Sequence, residues 1–380
     1  MKPKVMTIFG TRPEAIKMAP VVEALQASDQ LQAVTCVTAQ HRQMLDQVLD
    51  LWQIRPEYDL DIMRQRQSLS GTLRRALAGL EAVLQEEKPD LVLVHGDTLT
   101  TFAGAIAAFY ERIAVGHVEA GLRTFDKYFP FPEEVNRRLT GALADLHFSP
   151  TSVTKANLLA EGVPADRIYI TGNTVIDALG KTVRPDYQFL NATLAGLDFG
   201  SPVVVVELHR RENWGEPIAQ ACRAIARLVA AHPEIQVVFP VHLNPVVRET
   251  VFAVLAGRER VHLIDPLGTA DFHNLMARSY LIISDSGGIQ EEAPGLGKPV
   301  LVVRTVTERP EAVAAGTVKI VGVDEETIYG AAHELLTSQA AYRAMAQARN
   351  PYGDGQASRR IVAAILHHFG LCPERPADFE

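Results

Sequence analysis

Cysteine is scarce in this chain. Only Cys36, Cys222 and Cys372 occur, far apart and in no CxxC pair. That pattern suits a reducing compartment and argues against a structural zinc site. Positive charge is not in excess either: 37 Lys and Arg face 45 Asp and Glu, a net charge of −8. A nucleic-acid partner is therefore not expected, because neutralising phosphates takes clustered Lys and Arg. A local basic pocket for one phosphate ligand stays open. No apolar run approaches the ~18 residues of a membrane span, so no membrane partner is expected. The opening Met1-Lys2-Pro3-Lys4 runs straight into a strand-like segment without the pattern of a secretory signal. Internal repeats and low-complexity tracts are missing as well. A cytoplasmic enzyme or binding protein is the expectation.

What the chain does have is apolar material in a regular order. Its 380 residues are 47% hydrophobic, enough for a sizeable core and more suited to two domains than one. Short β-rich runs fall at 5–9, 34–38, 91–95, 113–118, 146–149 and 168–171, then at 203–207, 236–241, 261–264, 280–284, 299–303 and 318–321. Runs apolar on both faces read as buried strands of parallel sheets. Helical periodicity fills the intervals, as at 15–25 and 218–229. This alternation predicts an α/β fold of two Rossmann-like doubly wound domains with a central cleft. The boundaries are drawn at 1–172, 173–357 and 358–372, the last a C-terminal amphipathic helix. Residues 182–201 are weakly patterned and read as a connecting segment; those from 373 read as frayed.

Ligands of open α/β sheets bind at the carboxyl ends of strands, so the residues there are read first. Gly10-Thr11-Arg12-Pro13-Glu14 follows the first run, with Lys17 one helical turn beyond. It reads as a well-capped helix start that leaves Arg12 at the ligand edge. Asp285-Ser286-Gly287-Gly288 follows another run, with Glu292 in the helix behind it. Two glycines there let backbone N–H groups approach a phosphate, and Glu292 is placed to hold ribose hydroxyls; an ordinary strand-helix turn is the plainer reading. His209-Arg210-Arg211-Glu212-Asn213 offers cations at a third strand end, for an anion or simply for solvent. Carboxylates gather on the first sheet's edge: Asp97, Glu119, and one of Glu133 and Glu134. Each singly suits a helix start. Together they push one another's pKa values apart, as a site holding both a base and an acid requires.

Read in order, GTRPEAIKMAP, TAQHRQMLDQVL, HGDT, GHVEAGLRT, FPEEVNRRLT, GNTVIDAL, HRREN, DFHNLM, SDSGGIQEEAP and TERPEAV closely resemble the non-hydrolysing UDP-N-acetylglucosamine 2-epimerase family of bacterial type. The resemblance implies a GT-B-like pair of domains closing on a UDP-sugar, a homodimer, and no metal or nicotinamide cofactor. It implies a final helix that crosses back onto the first domain. It also implies reversible epimerisation at C2 of UDP-N-acetylglucosamine to UDP-N-acetylmannosamine, by anti elimination of UDP, a 2-acetamidoglucal intermediate and re-addition of UDP. The product would serve cell-wall, capsule or other surface-polysaccharide synthesis. By the same resemblance Asp97, Glu119 and Glu133 match the essential carboxylates and His209 the catalytic histidine. Arg12, Lys17, Ser286, Gly287, Gly288 and Glu292 match the UDP-binding groups, and Phe272 falls where uracil packs. Gln40, Gln43, Arg66, Gln67, Arg210 and His242, with Glu133, match residues that hold a second UDP-N-acetylglucosamine as an allosteric activator.

The chain departs from the family at three places. Glu207-Leu208-His209 stands where the family usually has threonine two residues before the histidine. The simpler expectation is that Glu207 points away at the strand-end turn; the alternative is that it pairs with His209, since residues i and i+2 of a strand share a face. Arg304-Thr305-Val306-Thr307 and Gly268-Thr269-Ala270 also differ from the usual pattern. Three rivals compete with this reading: a hydrolysing epimerase releasing N-acetylmannosamine and UDP, a glycosyltransferase, and a non-catalytic UDP-sugar sensor. Chain length and the lack of a kinase-like extension disfavour the first. The acid cluster disfavours the other two, because a binding module gains nothing from mutually repelling carboxylates.

Overall fold

A computed structural model describes residues 2–40, 42–64 and 67–380, apart from the Gln43 side chain. The chain divides into two compact units, Met1–Ala178 with Tyr352–Glu380, and Leu179–Pro351. Both are Rossmann-like, and the architecture is of the GT-B-like class.

The first unit is built on β1 (Lys4–Phe9), β2 (Gln32–Val37), β3 (Tyr58–Asp59), β4 (Leu91–His95), β5 (Ala114–Val118), β6 (Leu146–Ser149) and β7 (Ile168–Ile170). The strand order is β3-β2-β1-β4-β5-β6-β7, parallel at every pairing. A parallel sheet is covered on both faces, so its strands need apolar residues at odd and even positions alike. In β1, Val5 and Phe9 join the core formed with helices Arg12–Gln26 and Ala357–His368. Met6 and Ile8 join the opposite core, with helices Leu69–Glu87 and Leu99–Tyr110. β3 was not legible as a strand because Tyr58-Asp59 is two residues long and carries no apolar run.

The second unit holds β8 (Val203–Glu207), β9 (Gln236–Pro240), β10 (Val261–Ile264), β11 (Leu281–Ser284), β12 (Val300–Val302) and β13 (Val318–Ile320). The order is β10-β9-β8-β11-β12-β13, again parallel throughout. Residues 182–201 are tied to helix Thr269–Arg278 of this unit. Asp271 accepts hydrogen bonds from the Tyr187 hydroxyl at 2.8 Å and from the amides of Leu190 and Asn191, each at 3.0 Å.

The divisions between the units fall after Ala178 and before Tyr352, not after 172 and 357. Local contacts explain the shift. The Asn173 amide donates to the Tyr352 carbonyl at 2.6 Å, and a Cβ at Gly172 would sit 3.1 Å from Gly353 Cα. Asp177 then accepts the amides of Ala357 and Ser358 at 3.1 and 2.8 Å, which starts the last helix in the first unit. The tail beyond 373 is not frayed. Phe379 N–H donates to Ile170 O at 2.7 Å, and Asp378 accepts Ile170 N–H at 2.9 Å and Lys155 Nζ at 2.7 Å. Phe379 is 8% exposed and Arg375 lies over the Tyr169 ring. β7 is an edge strand whose open backbone groups need a partner, and the tail supplies one. Polar composition hid this in the sequence. Among the described residues no helix is long and apolar enough to cross a membrane.

Removal of residues 378–380 exposes that edge and uncovers the Phe379 pocket. It is expected to destabilise the first unit by about 2–4 kcal/mol. Hydrogen exchange checks this at one site: the Ile170 amide should lose its protection while the β8 amides of the second unit keep theirs.

Candidate active site

In each sheet, one pair of neighbouring strands sends its chain off in opposite directions along the sheet. β1 and β4 are that pair in the first unit, β8 and β11 in the second. The carboxyl ends of such a pair are where an α/β sheet leaves room for a ligand. The segments after these four strands are Gly10–Glu14, Gly96–Thr98, Leu208–Asn213 and Asp285–Gly288.

After β1, Gly10 lies so close to Thr38 that a Cβ would stand 1.9 Å from its Oγ1. Thr11 caps helix Arg12–Gln26 in a capping box with Glu14. Glu14 is fully buried and accepts bonds from the Thr11 amide at 2.8 Å and from the Thr11 and Thr98 hydroxyls at 2.7 and 2.8 Å. Burial raises its pKa and these bonds oppose the rise. Glu14 thus works on the backbone, and Arg12 and Lys17 stand half-buried on the helix it starts.

Glu119 follows β5 with φ +62°, a left-handed conformation disfavoured for a non-glycine residue. Its carboxylate pairs with Lys17 Nζ and accepts Asn173 Nδ2–H at 2.7 Å. His95 Nε2 lies 3.7 Å from the same oxygen, and burial holds the His95 pKa down to about 4, so the ring is neutral. After β4, Asp97 pairs with Arg137 at 2.5 Å, and the Asp97 carbonyl accepts Asn136 Nδ2–H. The neighbours Glu133 and Glu134 now separate. Glu134 is fully buried and accepts the amides of Thr124 and Phe125 at 3.0 and 3.2 Å, so it holds the preceding loop. Glu133 is half-buried; burial raises its pKa, the nearby Asp97 charge raises it further, and Arg137 opposes. Of the two neighbours, Glu133 is the less buried.

In the second unit, fully buried Asp285 organises the segment after β8. Its oxygens accept the amides of His209 and Arg210 at 3.0 and 3.1 Å and Asn213 Nδ2–H at 2.8 Å. The Arg210 guanidinium lies over the Ser-Gly-Gly turn: a Cβ on Gly287 would meet its Nη2 at 3.3 Å. Glu308 steadies Arg210 at 3.5 Å and pairs with Arg304 at 2.5 Å. Burial alone would raise the Glu308 pKa, but these two arginines hold it at about 2. Thr307, in the stretch that departs from the usual pattern, donates to Gln290 at 2.5 Å. Glu292 lies behind the turn, 3.6 Å from His273 Nε2, and His273 Nδ1 meets the Thr182 hydroxyl at 2.7 Å. Phe272 is half-buried beside His273.

Contrary to the simpler expectation, Glu207 does not point away: its Oε1 lies 2.6 Å from His209 Nδ1. Leu208 turns fully inward and leaves the i and i+2 side chains on one face. Among the described residues, Glu207, His209 and Asp285 are the one group spaced to hold a metal ion. The bonds to His209 and to three N–H groups already occupy them, and no metal role is assigned.

The UDP-N-acetylglucosamine 2-epimerase family model matches residues 23–366. The chain belongs to this family. It is 57% identical over 378 residues to the UDP-N-acetylglucosamine 2-epimerase of Bacillus subtilis, covering 100% of this chain and 99% of that one. An S. aureus protein, MnaA, solved with UDP, superposes with a TM-score of 0.90 at 49% identity, covering 100% of both chains. A Neisseria meningitidis UDP-GlcNAc 2-epimerase bound to UDP-GlcNAc gives 0.88 at 50% identity, over 96% of this chain and 99% of that one.

Within this family member, the expected residues fall into two groups. Arg12, Lys17, Asp97, Glu119 and Glu133 belong to the first unit; His209, Arg210, Phe272, Ser286, Gly287, Gly288 and Glu292 belong to the second. Of the activator set, Gln40 accepts from Thr100 Oγ1 at 3.3 Å, and Gln67 accepts from Arg75 at 2.8 Å. The His242 ring stands 6.2 Å from that of His209. Arg66 and the Gln43 side chain lie outside the described residues. Asn173, Arg137, His95 and Asp285 were not singled out, although each lies in a motif already quoted. Asp285→Ala would leave three N–H donors unpaired. It is expected to cost about 2–4 kcal/mol in denaturant unfolding of the second unit, against little change for Ser286→Ala.

Proposed function

We propose that the chain is an isomerase that interconverts UDP-N-acetylglucosamine and UDP-N-acetylmannosamine at C2, without hydrolysis. The observation that carries the chemistry is the placing of Asp97, Glu119 and Glu133 at one sheet edge in unlike environments. Asp97 and Glu119 are ion-paired, and Glu133 has its pKa raised by burial and by Asp97. One carboxylate takes the C2 proton while the C1–O bond to UDP breaks and the C1–C2 double bond forms. A second acid returns a proton to the opposite face of C2, and the UDP oxygen adds back to C1. The leaving diphosphate gains negative charge. Arg210, His209 and the amides of Gly287 and Gly288 form the cationic and N–H-rich edge that would receive it. By the family resemblance, Arg12 and Lys17 would also bind the UDP group. Glu292 would hold the ribose and Phe272 the uracil.

The enzyme is further proposed to act as a cytoplasmic homodimer. A second UDP-N-acetylglucosamine on Gln40, Gln43, Arg66, Gln67, Arg210 and His242 would act as activator. If so, the reaction started from pure UDP-N-acetylmannosamine shows a lag that added UDP-N-acetylglucosamine abolishes; full initial rate without it defeats the activator reading.

The central test is incubation with UDP-N-acetylglucosamine in deuterated water, followed by NMR. The expected result is UDP-N-acetylmannosamine at equilibrium with the substrate, and deuterium at C2 of both. Free N-acetylmannosamine with UDP would instead mark a hydrolysing enzyme. Asp97→Asn, Glu119→Gln and Glu133→Gln should each lower turnover by roughly 10²–10⁴-fold, the contribution of a positioned acid or base, while UDP still binds.

A further inference from the structure

Glu207 has no part in the reaction as set out above, yet its carboxylate is in direct contact with His209, which does. Its carboxylate is fixed from two sides. Oε1 meets His209 Nδ1 at 2.6 Å, and Oε2 accepts the Ser284 hydroxyl of β11 at 3.1 Å. The Ser284 oxygen in turn accepts the amide N–H of Ser286 at 3.0 Å, so the chain of bonds runs from the Ser-Gly-Gly turn to the histidine ring. The histidine backbone is held as well: its N–H donates to Asp285 at 3.0 Å and its carbonyl accepts Trp214 Nε1–H at 3.1 Å. The charged and titratable groups facing the ring are Glu207 of β8, Asp285 after β11 with Oδ1 3.5 Å from Nδ1, the adjacent Arg210, and His242 after β9.

We infer that Glu207 is a positioning residue which, by accepting the Nδ1 proton of His209, keeps that ring an imidazolium and leaves Nε2–H as its donor to the departing diphosphate. The inference rests on the reading that the ligand is a nucleoside diphosphate sugar. The electrostatics agree. Burial by itself would lower the His209 pKa, but the Glu207 hydrogen bond and the charges of Glu207 and Asp285 outweigh burial and Arg210, and it lies above its ordinary value. A hydroxyl at this position, as threonine would give, could bond to the ring but supply no charge to offset its burial. A raised value means the ring is charged below it and neutral above it. Diphosphate affinity therefore persists to higher pH with Glu207 than without it.

The test uses the full chain labelled with ¹⁵N-histidine. His209 is titrated by NMR without ligand, and UDP binding is measured by calorimetry from about pH 6 to about pH 8, the range in which histidine changes charge. In the unaltered protein the ring should titrate above a free imidazole and UDP affinity should hold to higher pH than in the Glu207→Gln variant. In Glu207→Gln the titration should move below a free imidazole. UDP affinity should then fall about tenfold across the range, the equivalent of ~1.4 kcal/mol. Glu207→Asp should restore part of both, and Ser284→Ala, which frees the carboxylate without removing it, should give an intermediate shift. A His209 titration unmoved in Glu207→Gln, or a Glu207→Gln binding profile parallel to that of the unaltered protein, overturns the inference. Failure of the unaltered protein to bind UDP would sink the functional reading, and the ligand-free titration would still decide the part played by Glu207.

Discussion

Parallel pairing is the constraint on which the rest of this molecule depends. Strands that all run one way must be joined by crossovers, and crossovers of one hand must cover both faces of the sheet. Somewhere in each sheet the winding reverses, here between β1 and β4 and between β8 and β11. At that place neighbouring strands send their chains to opposite sides, and the carboxyl edge stays free of a crossover. Every residue given a chemical role lies on a segment that follows a strand, or in the helix that segment opens. The tightness of the arrangement shows at Gly10, where even a methyl group would collide with Thr38.

The buried acids divide by what they accept. Glu14, Glu134, Asp271 and Asp285 receive backbone N–H groups or hydroxyls, Glu134 with Arg137 Nη1 besides at 3.3 Å, and each fixes the course of a loop or a helix start. Asp97 and Glu119 receive side-chain cations, Arg137 and Lys17, and one amide side chain from Asn173. The distinction is physical. A carboxylate saturated by backbone amides cannot leave them without unmaking the fold, so it is poorly suited to exchange protons with a ligand. A carboxylate held by a lysine or an arginine can trade part of that contact for a ligand.

Much of this was open to reading in the sequence, for a definite reason. Most of the strands are apolar on both faces, so their alternation with helical segments stands out. The residues after them could be found by counting. β3 escaped because two residues make no pattern, and the tail escaped because Asp378 and Phe379 find their partners in Ile170 and Lys155, some two hundred positions away. Separations of 54 and 76 positions likewise hid Asn173 from Glu119 and Asp285 from His209. Glu207 is the clearest case. Strand periodicity put it on the face of His209, but only the inward turn of Leu208 and the Ser284 hydroxyl of the neighbouring strand decide that it stays there.

The first unit's acid cluster also shows how one edge can hold carboxyls of different character. Lys17 pairs with Glu119, Arg137 pairs with both Asp97 and Glu134, and His95, neutral through burial, supplies no charge. Asp97 and Glu119 have their cations in direct contact, whereas Glu133 shares Arg137 at a distance while feeling the charge of Asp97. Burial and that neighbour both favour a proton on Glu133. A surface with equal countercharge at every acid would offer only bases. Here one carboxyl favours a proton while its neighbours keep cationic partners, as the reaction proposed above demands.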